Sequence, residues 1–316
     1  MCSSPMSTVR QRFLEFRRSL PRAPRLERQT VRVRGLAFAV FTSAPVGGTL
    51  PPLACVNGGM LFDHSMLWPA LSPLAAKRQI VLYDQRGRGA TEEPADPSAA
   101  TIEDDAADLA ALRRALGIRK WDLLGHSWGG GISMLAAARD QVGTRRLVLV
   151  DAVSSTSAWM SPMREAVIER LDGLERDEYL AVSEEALKTP DPEVQAEHAR
   201  TTYPAWFADP DFARHFTPPR ATSRTGAAAL GHLRKHGYDW TEQLSALRVP
   251  TLVLHAERDP FPEWASRQLA AVLPESRFEV VPESGHMPFW EAPRRFFALV
   301  ESFLDAPSPE RVALPS

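Results

Sequence analysis

The chain has 316 residues, 44% of them hydrophobic, and a formal net charge of -2. That is enough for one large α/β domain with an insertion, and the near-neutral charge removes the electrostatic case for nucleic acid or an anionic membrane surface. Two cysteines, Cys2 and Cys55, make neither a disulfide framework nor a cysteine metal site.

No run approaches the roughly 20 apolar residues of a spanning helix, and the N-terminus lacks the apolar core of a secretory signal. A cytoplasmic location is the default expectation. The expected partner is a small molecule or short peptide; nothing sets the oligomeric state. Residues 1–30 form an Arg-rich extension in which Val9, Phe13, Phe16 and Leu20 share a helical face. A docked lid-like helix, a solvated tail and a targeting helix all fit it, although Glu15 and Glu27 suit a targeting helix poorly.

From Val31 onward, short β-branched or Leu-rich runs alternate with amphipathic segments, the pattern of strands and helices around a mainly parallel sheet. Expected strands are Val31 to Arg34, Leu36 to Thr42, Leu53 to Val56, Ile80 to Asp84, Trp121 to Leu124 and Arg146 to Val150. A helix is predicted over Ile102 to Leu116, with Gly117 as its stop signal. After Asp151 the texture becomes acidic, helical and aromatic, without a convincing strand run. The α/β pattern resumes with a strand over Thr251 to His255, a helix over Glu263 to Val272, a strand over Arg277 to Val281 and a helix over Pro293 to Leu304. The expected organisation is therefore a body of 31–154 and 248–305, a helical cap of 155–247 and a loose tail of 306–316.

Gly125-His126-Ser127-Trp128-Gly129 follows a predicted strand and opens a predicted helix, the setting of the G-x-S-x-G nucleophile elbow. Small residues at 125 and 129 permit the sharp turn, and the strained backbone at Ser127 projects its hydroxyl. A serine hydroxyl needs a base and an acid that orients the base. Asp259 stands just beyond one late strand and His286 beyond the next, giving the chain order Ser, Asp, His. Asp151, at the end of the strand after the nucleophile helix, is a rival acid, and Glu257 a weaker one. Oxyanion donors are expected at the backbone N–H of Trp128 and of Gly59, with Gly58 close behind. This chemistry calls for no metal and no organic cofactor.

These residues resemble the α/β-hydrolase superfamily, and within it the proline iminopeptidase group of serine aminopeptidases, from about Val31 to Leu304. The segment Asp84-Gln85-Arg86-Gly87-Arg88-Gly89 is similar to that group's D-Q-R-G-x-G, and the elbow to its G-x-S-W-G-G. The resemblance implies an α/β-hydrolase fold: a mostly parallel twisted sheet flanked by helices, with an inserted helical cap.

Two departures stand out. The group's H-G-G-P oxyanion loop is here Asn57-Gly58-Gly59-Met60, and its acidic cap segment for a substrate amine has no match. Glu165, Glu169, Glu184 and Glu197 read as a solvated helix face. Trp159, Tyr203, Trp206, Phe207, Phe212, Phe216, Tyr238 and Trp240 serve either an apolar pocket or packing within the cap.

The expected activity is hydrolysis of an ester, lactone or N-terminal amide through an acyl-enzyme. Other chemistry on the same residues (carbon-carbon cleavage, acyl transfer, cyclisation) and a ligand-sensing role are the alternatives. Dehalogenase and epoxide hydrolase chemistry is disfavoured, because those relatives carry a carboxylate where this chain has Ser127.

Overall fold

In the computed structural model, the described residues are 22–307 apart from 49, 187, 190, 214–215 and 217–222, together with 11, 14 and 18. Val9, Phe13, Phe16 and Leu20, on which the reading of the extension rests, lie outside them. The chain begins its sheet with β1 (Glu27–Val33) and β2 (Leu36–Thr42), a hairpin paired along its whole length from Glu27 with Thr42 to Val33 with Leu36. The strand therefore starts four residues before the predicted Val31: backbone pairing to β2 carries the exposed Glu27–Thr30 stretch, which has no apolar alternation of its own.

The remaining strands are β3 (Leu53–Val56), β4 (Ile80–Tyr83), β5 (Trp121–His126), β6 (Thr144–Val150), β7 (Thr251–Ala256) and β8 (Ser276–Val281). They assemble in the order β1-β2-β4-β3-β5-β6-β7-β8, with only the β1–β2 and β2–β4 pairs antiparallel. Strands β3 to β7 are almost wholly buried, as expected of a parallel sheet covered on both faces.

Alternate strand residues feed two cores. Ala54, Val56, Leu123, Leu147 and Leu149 pack on one face with helices α1 (Ile102–Ala115) and α2 (Trp128–Arg139). Leu53, Cys55, Leu124, Val148 and Val150 pack on the other with the C-terminal helix (Pro293–Asp305), which contributes Phe296, Leu299, Val300 and Leu304. Each buried Val, Leu or Phe among them stabilises the fold by about 1.5–3 kcal/mol. Helix α1 starts at Thr101, whose hydroxyl accepts Asp104 N–H at 3.2 Å, carries Glu103, Asp104 and Asp105 in its first turn, and ends before Gly117 at φ 69°.

Between β6 and β7 lie α3 (Met160–Arg170), α4 (Gly173–Ala186), α5 (Pro192–Thr202), α6 (Pro210–Ala213), α7 (Arg224–His236) and α8 (Thr241–Ser245). After β7 come α9 (Glu263–Val272), α10 (Pro288–Glu291) and the C-terminal helix, α11. Past α11, Ala306 and Pro307 are held by the Arg146 guanidinium through their carbonyls, so the expected loose tail is docked at its start; 308–316 lie outside the described residues. Among the described residues no helix is long and apolar enough to cross a membrane.

The strand order positions the site. From β3 the chain moves outward to β4, then returns past β3 to begin β5, which leaves a crevice at the carboxyl ends of β3 and β5. The loops that leave these two strands carry Gly58, Gly59 and Ser127.

Candidate active site

Ser127 sits at the turn from β5 into α2 with φ 53° and ψ -124°, a conformation that a non-glycine residue holds only when its surroundings enforce it. Those surroundings are closely packed. A side-chain carbon on Gly125 would collide with the backbone of Gly129 and Gly130, and one on Gly129 with the Val56 and Asn57 carbonyls. Trp128 is the first residue of α2, so its N–H has no acceptor within the helix.

Across the crevice, a carbon on Gly58 would lie 2.6 Å from Ser127 Cβ; the absence of a side chain there lets the loop after β3 reach the serine. Gly59 takes φ 77° and Met60 φ 39°. The histidine and proline that anchor this loop in the similar group are replaced by other contacts. Asn57 Nδ2 donates to Phe62 O at 2.9 Å, Gln85 Nε2 to Asn57 O at 2.9 Å, and Arg88 Nε to Met60 O at 2.8 Å. Gln85 and Arg88 belong to the Asp84–Gly89 motif, which here braces the loop. Arg88 is itself fixed by Asp105 at 2.8 Å.

His286 and Asp259 are brought together: Nδ1 donates to Asp259 Oδ2 at 2.7 Å, while Asp259 Oδ1 accepts Phe261 N–H at 2.8 Å. Burial pushes the Asp259 carboxyl up, but the adjacent His286 outweighs it and holds the group below the usual carboxylate range. The His286 ring packs between His126 and Trp206, with centroids 4.7 and 4.6 Å away. His126 Nε2 donates to His286 O at 2.8 Å, and burial drives that imidazole down to about 3, so it stays neutral.

The rival acid is also present. Asp151, at φ 44°, accepts Ala256 N–H at 2.6 Å, and oxygens of Asp151 and Asp259 lie with a His286 nitrogen in one group within 4.8 Å. Burial first, and then the Asp259 charge, push the Asp151 carboxyl well above its ordinary value. Two buried carboxylates at this separation cannot both ionise, so Asp151 keeps the proton. Glu257 instead turns outward and accepts Glu283 N–H at 2.8 Å. A second carboxylate-histidine group, Asp63, His64 and Asp84, is occupied internally: Asp84 takes His64 N–H, His64 Nδ1–H and Ala90 N–H, and Asp63 caps the turn at Ser65.

Residues 51–293 match the family model described as alpha/beta hydrolase fold. The chain belongs to this family. The proline iminopeptidase of Lactobacillus helveticus is similar at 28% identity over 81% of this chain and 90% of its own. Among solved structures, VinJ superposes with a TM-score of 0.68 at 25% identity over 89% of this chain and 99% of its own. The proline iminopeptidase of Mycobacterium smegmatis does so with a TM-score of 0.65 at 21% identity, over 88% and 98%. The chain is a hydrolase, serine-type by family and related to the proline iminopeptidases.

In this α/β hydrolase, Gly59, Ser127, Trp128 and His286 line one cavity of about 180 Å³ that reaches up between the cap helices. Its floor and walls are apolar, with Met60, Phe62, Val153, Phe261 and Met287 from the body. Helix α3 supplies Met160, Met163, Arg164 and Val167 at helical spacing, and α5 supplies Gln195, His198, Ala199 and Thr202 in the same way. Of the cap aromatics singled out from the sequence, Trp159, Tyr203 and Trp206 line the cavity, and Tyr179 of α4 joins them. Tyr238 and Trp240 stack on each other at 3.9 Å; Trp159 Nε1 donates to the Tyr238 hydroxyl within the cap, and Trp240 Nε1 donates to Glu103 of α1, which ties the cap to the body.

No Asp or Glu lines this cavity among the described residues. Glu165, Glu169 and Glu184 are exposed; Glu184 pairs with Lys188 just beyond the end of α4, and Glu197 with Arg200 on α5. The charged residues that do line it are Arg164 and Arg234, neither of which the sequence singled out. Only the shared spacing of Arg164 with Met160, Met163 and Val167 hints at it, and such a stripe reads equally well as core.

Proposed function

We propose that this hydrolase cleaves a carboxylic ester or lactone through an acyl-enzyme on Ser127. The observation that carries the choice of bond is the cavity lining: apolar around Ser127, cationic on the cap, and without a carboxylate among the described residues to receive a substrate amine. An aminopeptidase must hold an ammonium next to the scissile bond, and an unpaired ammonium in such a cavity is strongly disfavoured.

In this reading Asp259 holds the His286 Nδ1–H, which leaves Nε2 as the base. His286 takes the Ser127 hydroxyl proton as Oγ attacks the carbonyl, and the Trp128 and Gly59 N–H groups stabilise the oxyanion. Collapse of the tetrahedral intermediate breaks the ester C–O bond, and His286 returns the proton to the departing alkoxide. Water, deprotonated by His286, then attacks the acyl-enzyme, and the second tetrahedral intermediate collapses by breaking its bond to Ser127 Oγ, which His286 reprotonates as the acid is released. The segment 155–247 acts as the cap that encloses the acyl or alcohol part of the substrate.

A fluorophosphonate probe is expected to label the wild type and fail to label Ser127→Ala; labelling of both would overturn the nucleophile. Short acyl p-nitrophenyl esters are expected to be cleaved in preference to prolyl p-nitroanilide. The reverse preference would establish the aminopeptidase reading, which is favoured by the similarity to proline iminopeptidases.

A further inference from the structure

Several arginines in this protein are paired with carboxylates. Arg78 pairs with Asp122, Arg86 with Asp108, Arg88 with Asp105, Arg113 with Asp140, Arg145 with Asp122 and Arg224 with Glu93. Arg146 and Arg170 make no ion pair among the described residues and are held by backbone carbonyls instead; Arg164 on α3 and Arg234 on α7 differ from both sets in lining the cavity. Both line the cavity above Ser127, both are solvent-accessible, and neither makes an ion pair among the described residues. Among the described residues, no carboxylate lines the cavity to pair with either of them.

The local structure holds this end of the cavity ready. Gln195 is buried and its amide nitrogen is committed to Ala186 O at 2.6 Å and Thr189 O at 3.0 Å, which turns its oxygen to Arg234 NH1 at 3.1 Å. One face of the guanidinium is thereby oriented by a neutral acceptor that does not discharge it. His198 lies in the field of both arginines; burial, then Arg234 and Arg164, push its imidazole down to about 4, so it adds no charge near neutrality. Two guanidinium groups close enough to share this neighbour repel each other across a partly desolvated space. An incoming anion relieves that repulsion and accepts directed N–H bonds, whereas an ammonium adds to it.

We propose that Arg164 and Arg234 form a binding site for an anionic group, a carboxylate or a phosphate, carried by the substrate away from its scissile ester. The proposal rests on the ester-hydrolase reading for the position of the reacting bond. The site makes the substrate bifunctional: an apolar spacer along Met160, Met163 and Val167, a carbonyl at Ser127 and an anion on the cap.

The test is a matched series of p-nitrophenyl octanoates ending in a carboxylate, a phosphate, a methyl ester or an amine. Wild type is expected to favour an anionic terminus over the methyl ester by about tenfold or more in kcat/KM, the scale of one charge-assisted hydrogen bond, with the amine poorest. The better of the carboxylate and phosphate arms identifies the anion. Arg164→Gln with Arg234→Gln should bring the anionic and methyl-ester substrates to within about twofold of each other. Arg164→Lys with Arg234→Lys should retain part of the preference, and added salt should weaken it in the wild type. No preference in wild type, or a full preference surviving in the double Gln variant, overturns the proposal.

A second arm needs no turnover. Ser127→Ala is titrated calorimetrically with suberate and with octyl phosphate. Binding that disappears when both arginines are also Gln supports the anion site even if no ester is cleaved, and absence of binding refutes it even if esters are cleaved. Thermal melts by circular dichroism verify that each variant is folded.

Discussion

Asp259 and Asp151 present the same side chain to the same imidazole in opposite protonation states. Asp259 accepts the His286 proton and stays charged, while Asp151, deprived of water and facing that charge, stays protonated. Asp259→Asn is expected to lower kcat by about 10³-fold or more, because an amide can offer an N–H to His286 and favour the wrong tautomer. Asp151→Asn resembles the neutral acid it replaces and should keep kcat within about tenfold of wild type. In Asp259→Asn the like charge is gone, so Asp151 can ionise; the double variant should therefore lose at least about another tenfold. Equal activities of Asp259→Asn and the double variant in steady-state assays would refute this reserve role. From the sequence, Asp151 and Asp259 were rival candidates for one position. The pairing of β6 with β7, which sets their loops side by side, is a long-range fact that neither local pattern contains.

At the scale of elements, most strands were legible because each is a short apolar run closed by Gly, Pro or a charge, and β2, β3 and helix α9 have the predicted limits. The start of β1 was not, since its polar residues are held by hairpin pairing. The loop after β3 illustrates a different limit. Its glycines are visible in the sequence, but its braces, Gln85 and Arg88, come from a segment that reads as a family signature without a stated purpose. Asn57 completes the brace from within the loop. Asn57→Ala removes that bond and is expected to cost about 1–2 kcal/mol of stability by chemical denaturation. It should also lower kcat by about 10-fold to 100-fold with little change in KM, since the proposed mechanism gives this loop an oxyanion donor, which acts mainly on the transition state. A rise in KM with unchanged kcat would indicate that the loop serves ground-state binding instead.

For the whole molecule, the cap and the loops that carry His286 and Asp259 form one mechanical unit. His286 N–H donates to Trp206 O at 2.7 Å, Arg170 of α3 donates to Arg258 O at 2.6 Å, and Gly285 is packed against the backbone of 206–208. Glu291 of α10 joins the two sides by accepting Ala208 N–H and Gly285 N–H, each at 2.8 Å. These contacts connect residues about 80 positions apart, which is why no local sequence pattern contains them.

Glu291 gives that grip a pH signature. Burial outweighs its two N–H donors and raises its carboxyl to about 7, above the ordinary 4.5 of an unfolded chain. The folded state therefore holds a proton that the unfolded state releases between these values. This contribution to stability is present in full below about 4.5 and is lost as pH rises through about 7. Glu291→Gln cannot titrate, so the melting temperature of wild type relative to the variant should rise as pH is lowered from 7 to 4.5. The variant's amide accepts through one oxygen where the carboxylate used two, so one of the two bridges is broken and kcat should fall by about tenfold as the His286 loop loosens from the cap. A difference in melting temperature that is flat across this window would place Glu291 outside the linkage and leave the grip to Trp206 and Arg170.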